Sequence, residues 1–195
     1  MAAYVPEHIG NPELGCLAAR HSNSNNLVGA VILEFMKTTK EDEEDSDMNH
    51  DDPNILFAFR AIDGIMKECK HIFKREMTHR HNRLGSKCGY VAWIAVDESV
   101  RGAGIAGELI QRSSTLLTDS GCHYAVAFTV SPTATRVFER NGYVRWGSVT
   151  YKVYEIDGKY PFRILPDEVS VYTAKKVQLG LVGSWPKDEE VAYQV

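Results

Sequence analysis

A chain of 195 residues with 44% hydrophobic and 25% charged content is long enough to bury a sizeable core as one domain, and no uncharged apolar run approaches the ~20 residues that span a bilayer. A net charge of −4 argues against a nucleic-acid partner, which asks for a basic face. Cys16, Cys69, Cys88 and Cys122 lie far apart with no C-x-x-C pair, which argues against structural metal and a disulfide framework; with no basic-then-apolar leader in Met1-Ala-Ala-Tyr-Val-Pro-Glu, the expectation is reduced thiols in a cytoplasmic protein.

Residues 14–20 and 27–35 are apolar and strand-like, and the polar cluster 21–26 between them predicts a hairpin. The acidic stretch at 40–52, within a loop set at 38–53, reads as a solvated connection. Asp45, Asp47 and Asn49 open like a calcium loop, but the sixth position is His50 and the twelfth Leu56, so calcium is rejected. Pro53 then starts an amphipathic helix whose expected buried stripe is Leu56, Phe59, Ile62, Met66, Cys69 and Phe73. A polar connector is expected at 78–87, where His79 and His81 lack a third ligand and point to no metal.

An apolar strand at 89–97 follows, then a helix that closes near Asp119, Ser120 and Gly121. A strand at 123–130, a helix entered through Pro132, a long strand at 143–156 and a last strand at 169–174 complete a single domain of residues 1–177, with a loosely held tail at 178–195.

The stretch from Val96 to Ala106, V-D-E-S-V-R-G-A-G-I-A, carries the most chemistry. Gly102, Ala103, Gly104 and Ala106 keep side chains small where the chain opens a helix, and a helix N-terminus so preceded suits a phosphate. Arg101 adds a guanidinium able to pair with phosphate oxygens. No Lys-Ser or Lys-Thr follows, and the third glycine of G-x-G-x-x-G is missing, so neither a nucleotide P-loop nor a dinucleotide fingerprint is present.

Arg101-x-x-Gly104-x-Ala106 resembles the acyl-CoA pyrophosphate loop, R/Q-x-x-G-x-G/A, of the GNAT superfamily of N-acetyltransferases, and Ser131 to Tyr143 resembles its second motif. The run from Ile94 to Ala106, with Ser131, Arg136-Val137 and Glu139 to Tyr143, is most similar to the invertebrate-type arylalkylamine (dopamine-like) members. The resemblance implies an α/β (α+β) fold: a central mixed, mostly antiparallel sheet with splayed central strands and flanking helices, its N-terminal strand and helices shortened or missing here. It implies acetyl-CoA as cosubstrate, no metal, and a primary amine, a small arylalkylamine in the first reading, attacking the thioester directly. Backbone groups around Ala95 and Val96 would hold the pantetheine and acetyl carbonyl, and Arg101, Gly102, Ala103, Gly104, Ile105 and Ala106 the pyrophosphate.

Many superfamily members carry a tyrosine as proton source where this chain has Phe138, which leaves Phe138 a cofactor contact at most. The arylalkylamine group uses hydroxyls instead; Ser131 matches one, and the other falls on Ala134. Ser131 is thus the candidate proton donor, and it is equally an N-cap. Glu7 is the candidate remnant of the family's glutamate base, with Glu13 another nearby acid and ordinary surface residues as the competing reading of both. Phe57, Phe59, Trp93, Tyr151 and Tyr154 could line an arylalkyl pocket or serve as core. Two other functions stay open: a protein N-acetyltransferase, and a catalytically weak acyl-CoA-binding domain that needs a partner. An apolar interface bared by the missing elements would favour a homodimer.

Overall fold

The computed structural model describes residues 7–9, 15–36, 52–81, 87–165 and 168–175, the first and last of these segments and residues 80–81 by backbone, together with the side chain of Val169. The elements run β1 (Glu7–Ile9), β2 (Cys16–Arg20), β3 (Leu27–Met36), α1 (Pro53–His81), β4 (Cys88–Val96), α2 (Ile105–Asp119), β5 (Tyr124–Thr129), α3 (Pro132–Arg140), β6 (Val144–Thr150) and β7 (Glu168–Lys175). They form one seven-stranded sheet in the order β1-β2-β3-β4-β5-β7-β6. Every pairing is antiparallel except that of β4 with β5. Along the chain, the strands and helices from β2 onward alternate as the sequence predicts, and β1 adds an edge strand beyond those expected. Residues 38–51 of the acidic loop and the tail at 178–195 lie outside the described residues, while Pro53, expected as the loop's last residue, begins α1.

Two apolar layers cover the sheet. On one face Val31, Leu33, Val91, Ala125 and Ala127 pack under Ile105, Leu109, Ile110 and Leu117 of α2 and Phe138 of α3. On the other, Met36, Cys88, Tyr124, Val126 and Val169 pack under Ile65, Cys69, Phe73 and Met77 of α1. Phe73 is fully buried and stacks on Trp146 at 5.6 Å, and burial of such a ring stabilises by about 1.5–3 kcal/mol.

Three expectations are corrected. The buried face of α1 runs through Ala61, Ile65, Cys69, Phe73 and Met77, while Phe59 and Ile62 are exposed. A loop after β6 explains the rotation. It runs along the helix with the Lys159 ammonium 4.9 Å from the Phe57 ring, the Arg60–Asp157 ion pair at 3.0 Å, and the Tyr154 hydroxyl against Gly64. With residues 57, 60 and 64 committed to that loop, the next stripe round the helix meets the sheet. Secondly, α1 continues through the expected connector to His81, because Met77 is still buried. Thirdly, the strand expected to reach residue 156 stops at Thr150, where a 3₁₀ turn carries Tyr151 into the core against Phe162.

Candidate active site

The parallel pair at the centre of the sheet is short. Cys88, Gly89, Tyr90 and Val91 pair with Tyr124, Val126 and their neighbours as far as Ala127, and there the pairing ends. Beyond it β4 stays with β3 as far as Val96, and β5 stays with β7 as far as Thr129. The sheet therefore opens between the last residues of β4 and those of β5. The splay begins at a bulge: Ile32 is opposite Trp93 and Leu33 opposite Val91, so Ala92 has no partner.

Which groups of β4 face the opening follows from the register. The Asp97 N–H donates to the Val28 carbonyl at 2.8 Å, and the Ala95 carbonyl lies beside Gly29. Ala95 and Asp97 therefore turn their backbone groups toward β3. Along a strand these groups alternate sides, so Ile94 and Val96 direct their N–H and C=O toward β5, which is no longer paired with them. Of the two expected pantetheine contacts, Val96 has this orientation and Ala95 does not. Ile94, which shares the orientation of Val96, was not among the expected contacts, although strand alternation in the sequence carries that signal.

Both helices that follow these parallel strands begin at the opening, the usual place for ligands in such an arrangement. Gly102 (φ 84°) and Gly104 (φ 81°) adopt left-handed backbone, which a side chain disfavours, and a β-carbon on either would meet nothing within 4 Å. Gly104 is the N-cap of α2 and offers no capping side chain. The Glu108 N–H bonds to the Gly104 carbonyl at 3.1 Å, and the N–H groups of Ile105, Ala106 and Gly107 precede the first full turn. Such a turn fits a phosphate group: open space before it, unpaired donors, and the positive end of a 15-residue helix. Arg101 stands exposed with its guanidinium 3.1 Å from Glu98. A surface pair of this kind contributes little, so an incoming phosphate could draw the arginine away.

At the second helix, Ser131 is the N-cap and accepts from the Ala134 N–H at 3.2 Å. The cap leaves the Ser131 hydroxyl proton unused in that bond. Thr135, one residue beyond Ala134, lies 2.9 Å from the hydroxyl of Thr129. Its spacing of four from Ser131 puts both on one helix face, a relation present in the sequence and overlooked there. Phe138 is buried in the core with its ring edge-on to Tyr143 at 4.9 Å. Tyr143 is equally enclosed, and burial pushes its hydroxyl up to about 12 despite the contact with Ser114.

The other catalytic candidate is not brought here. Glu7 on β1 is in register with Ala18, which aligns with Ala30 and then Ala95. Its backbone thus stands three strand spacings from β4, roughly 14 Å. The aromatic candidates divide by burial. Trp93 is 72% exposed, Phe57 and Tyr154 are half-buried, Phe59 is exposed, and Tyr151 is core. Among the described residues no helix is long and apolar enough to cross a membrane.

Residues 76–154 match the family model of the acetyltransferase (GNAT) domain. The fold is shared with arylalkylamine N-acetyltransferase 2 from Aedes aegypti (TM-score 0.64, 18% identity, 82% of this chain and 72% of that one). It is shared as well with the protein assigned as arylalkylamine N-acetyltransferase 7 of the same mosquito (TM-score 0.61, 17% identity), where 82% of this chain matches 63% of the other's length. A Drosophila melanogaster polyamine N-acetyltransferase aligns with TM-score 0.55 and 17% identity over 82% of this chain and 74% of its own. No curated protein matches by sequence.

Proposed function

We propose that the chain transfers an acetyl group from acetyl-CoA to a primary amine, with a small arylalkylamine or polyamine as the acceptor. The observation that carries this reading is the opening between β4 and β5 with two helix N-termini at its end. The loop from Arg101 to Ala106 would hold the pyrophosphate, and the backbone groups of Ile94 and Val96 the extended amide arm. The amine nitrogen bonds to the thioester carbon, the carbon–sulfur bond breaks, and the electron pair leaves on sulfur. Ser131 and Thr135 are the hydroxyls from which sulfur or the carbonyl oxygen could receive a hydrogen bond. Exposed Trp93 offers the acceptor an aromatic surface, and the similarity to arylalkylamine and polyamine enzymes supports an amine acceptor.

The test is thiol release from acetyl-CoA with tryptamine, dopamine, a polyamine and a histone-like peptide. Turnover with one aromatic amine or polyamine establishes the reading. Turnover with the peptide alone makes the protein a protein acetyltransferase. Binding of acetyl-CoA without turnover leaves an acyl-CoA-binding domain, and its absence removes the proposal.

A further inference from the structure

Resting on that reading, we infer that Thr129 is a positioning residue that fixes the proton of Thr135 and makes Thr135 a hydrogen-bond donor to the leaving sulfur. The two hydroxyl oxygens are 2.9 Å apart, and geometry alone allows either to donate. Burial decides between them. Thr129 is 2% exposed at the last position of β5, and among the described residues the Thr135 hydroxyl is its hydrogen-bond partner. If Thr135 donated, the Thr129 proton would be left buried without an acceptor, an arrangement folded proteins avoid. With Thr129 donating, its buried proton has an acceptor and the proton of half-buried Thr135 is free to point elsewhere.

Thr135 lies in the first turn of α3, which follows directly on the end of β5, where that strand has parted from β4. An ordered hydroxyl there can donate to sulfur as the carbon–sulfur bond breaks. No proton leaves the threonine: the amine's proton passes to solvent, and the thiolate departs hydrogen-bonded. Because Thr135 accepts from Thr129 at the same time, its own proton is polarised for donation. Phe138, one turn further along α3, is sealed in the core and supplies no hydroxyl.

The test compares CoA with desulfo-CoA by calorimetry in the wild type, Thr129→Val, Thr129→Ser and Thr135→Val. The wild type should bind CoA about three- to tenfold more tightly than its desulfo analogue, the worth of one hydrogen bond. Thr129→Val should bring that ratio close to one while desulfo-CoA affinity holds, and Thr129→Ser, which keeps the hydroxyl, should restore it. A packing role alone would make the serine variant at least as damaging as the valine. Should Thr129→Val fail to fold, Thr135→Val on its own must lose the preference. A wild type that binds both molecules equally, or a Thr129→Val that keeps the preference, overturns the inference and leaves the acetyltransferase reading standing. A wild type that binds neither overturns both.

Discussion

The Tyr154 hydroxyl rests on the α-carbon of Gly64, so closely that a β-carbon at that helix position would fall inside contact distance. A glycine within a 29-residue helix costs about 1 kcal/mol relative to alanine, and the tyrosine explains why it is there. Gly64→Ala should therefore stabilise the Tyr154→Phe protein by about 1 kcal/mol and fail to stabilise the wild type. A double-mutant cycle in urea should give a coupling of at least about 1 kcal/mol. Additive effects would mean that Tyr154 swings away from the helix freely, in spite of its contact with Phe162.

Gly104 tests the phosphate turn. Its left-handed backbone makes valine there strained by about 1–2 kcal/mol, and the added side chain would occupy the open space before α2. Gly104→Val should lose CoA affinity by more than about tenfold, well beyond its effect on melting temperature. Unchanged affinity would remove the pyrophosphate from this loop.

Ser131 has a cap to lose and a proton to give. Ser131→Ala should cost about 1 kcal/mol of stability, and Ser131→Asn, which still caps, should recover most of it. Thermal unfolding measures the cap. Turnover of the asparagine variant then reads the chemistry separately: a loss of kcat with stability intact would give Ser131 a direct part.

The thiols of Cys69 and Cys88 are buried, and desolvation raises both from an ordinary value near 9 to about 12. Between those values the unfolded chain has released its protons and the folded chain retains them. Stability is therefore fully present below pH 9 and declines as pH rises toward 12, by about 1.4 kcal/mol per unit and per thiol at most. Urea midpoints measured from pH 8 to 11 should fall, and should fall less steeply in Cys69→Ala. A flat profile would show that these thiols ionise within the fold.

Local signals carried much of this architecture. The turn cluster at 21–26, the glycines at 102 and 104, and Pro132 marked their boundaries because each acts on the backbone within a few residues. The face of α1 was not legible in that way. Apolar residues occur on two neighbouring stripes of its first half, and only the distant contacts of Tyr154, Asp157 and Lys159 choose between them. The bulge at Ala92 was hidden inside the unbroken apolar run Val91-Ala92-Trp93-Ile94, where a slip of one residue leaves no mark in the pattern. The Thr129–Thr135 bond needed the geometry of the strand-to-helix turn between them.

The lapse in pairing after Val91 also sets a rhythm in time. Amide protons of Ala95 and Asp97, turned toward β3, should exchange slowly with deuterated solvent, while those of Ile94 and Val96 between them should exchange fast. A single strand would then alternate residue by residue between two exchange regimes. An extended chain of amides lying along that side of β4 would merge them into one.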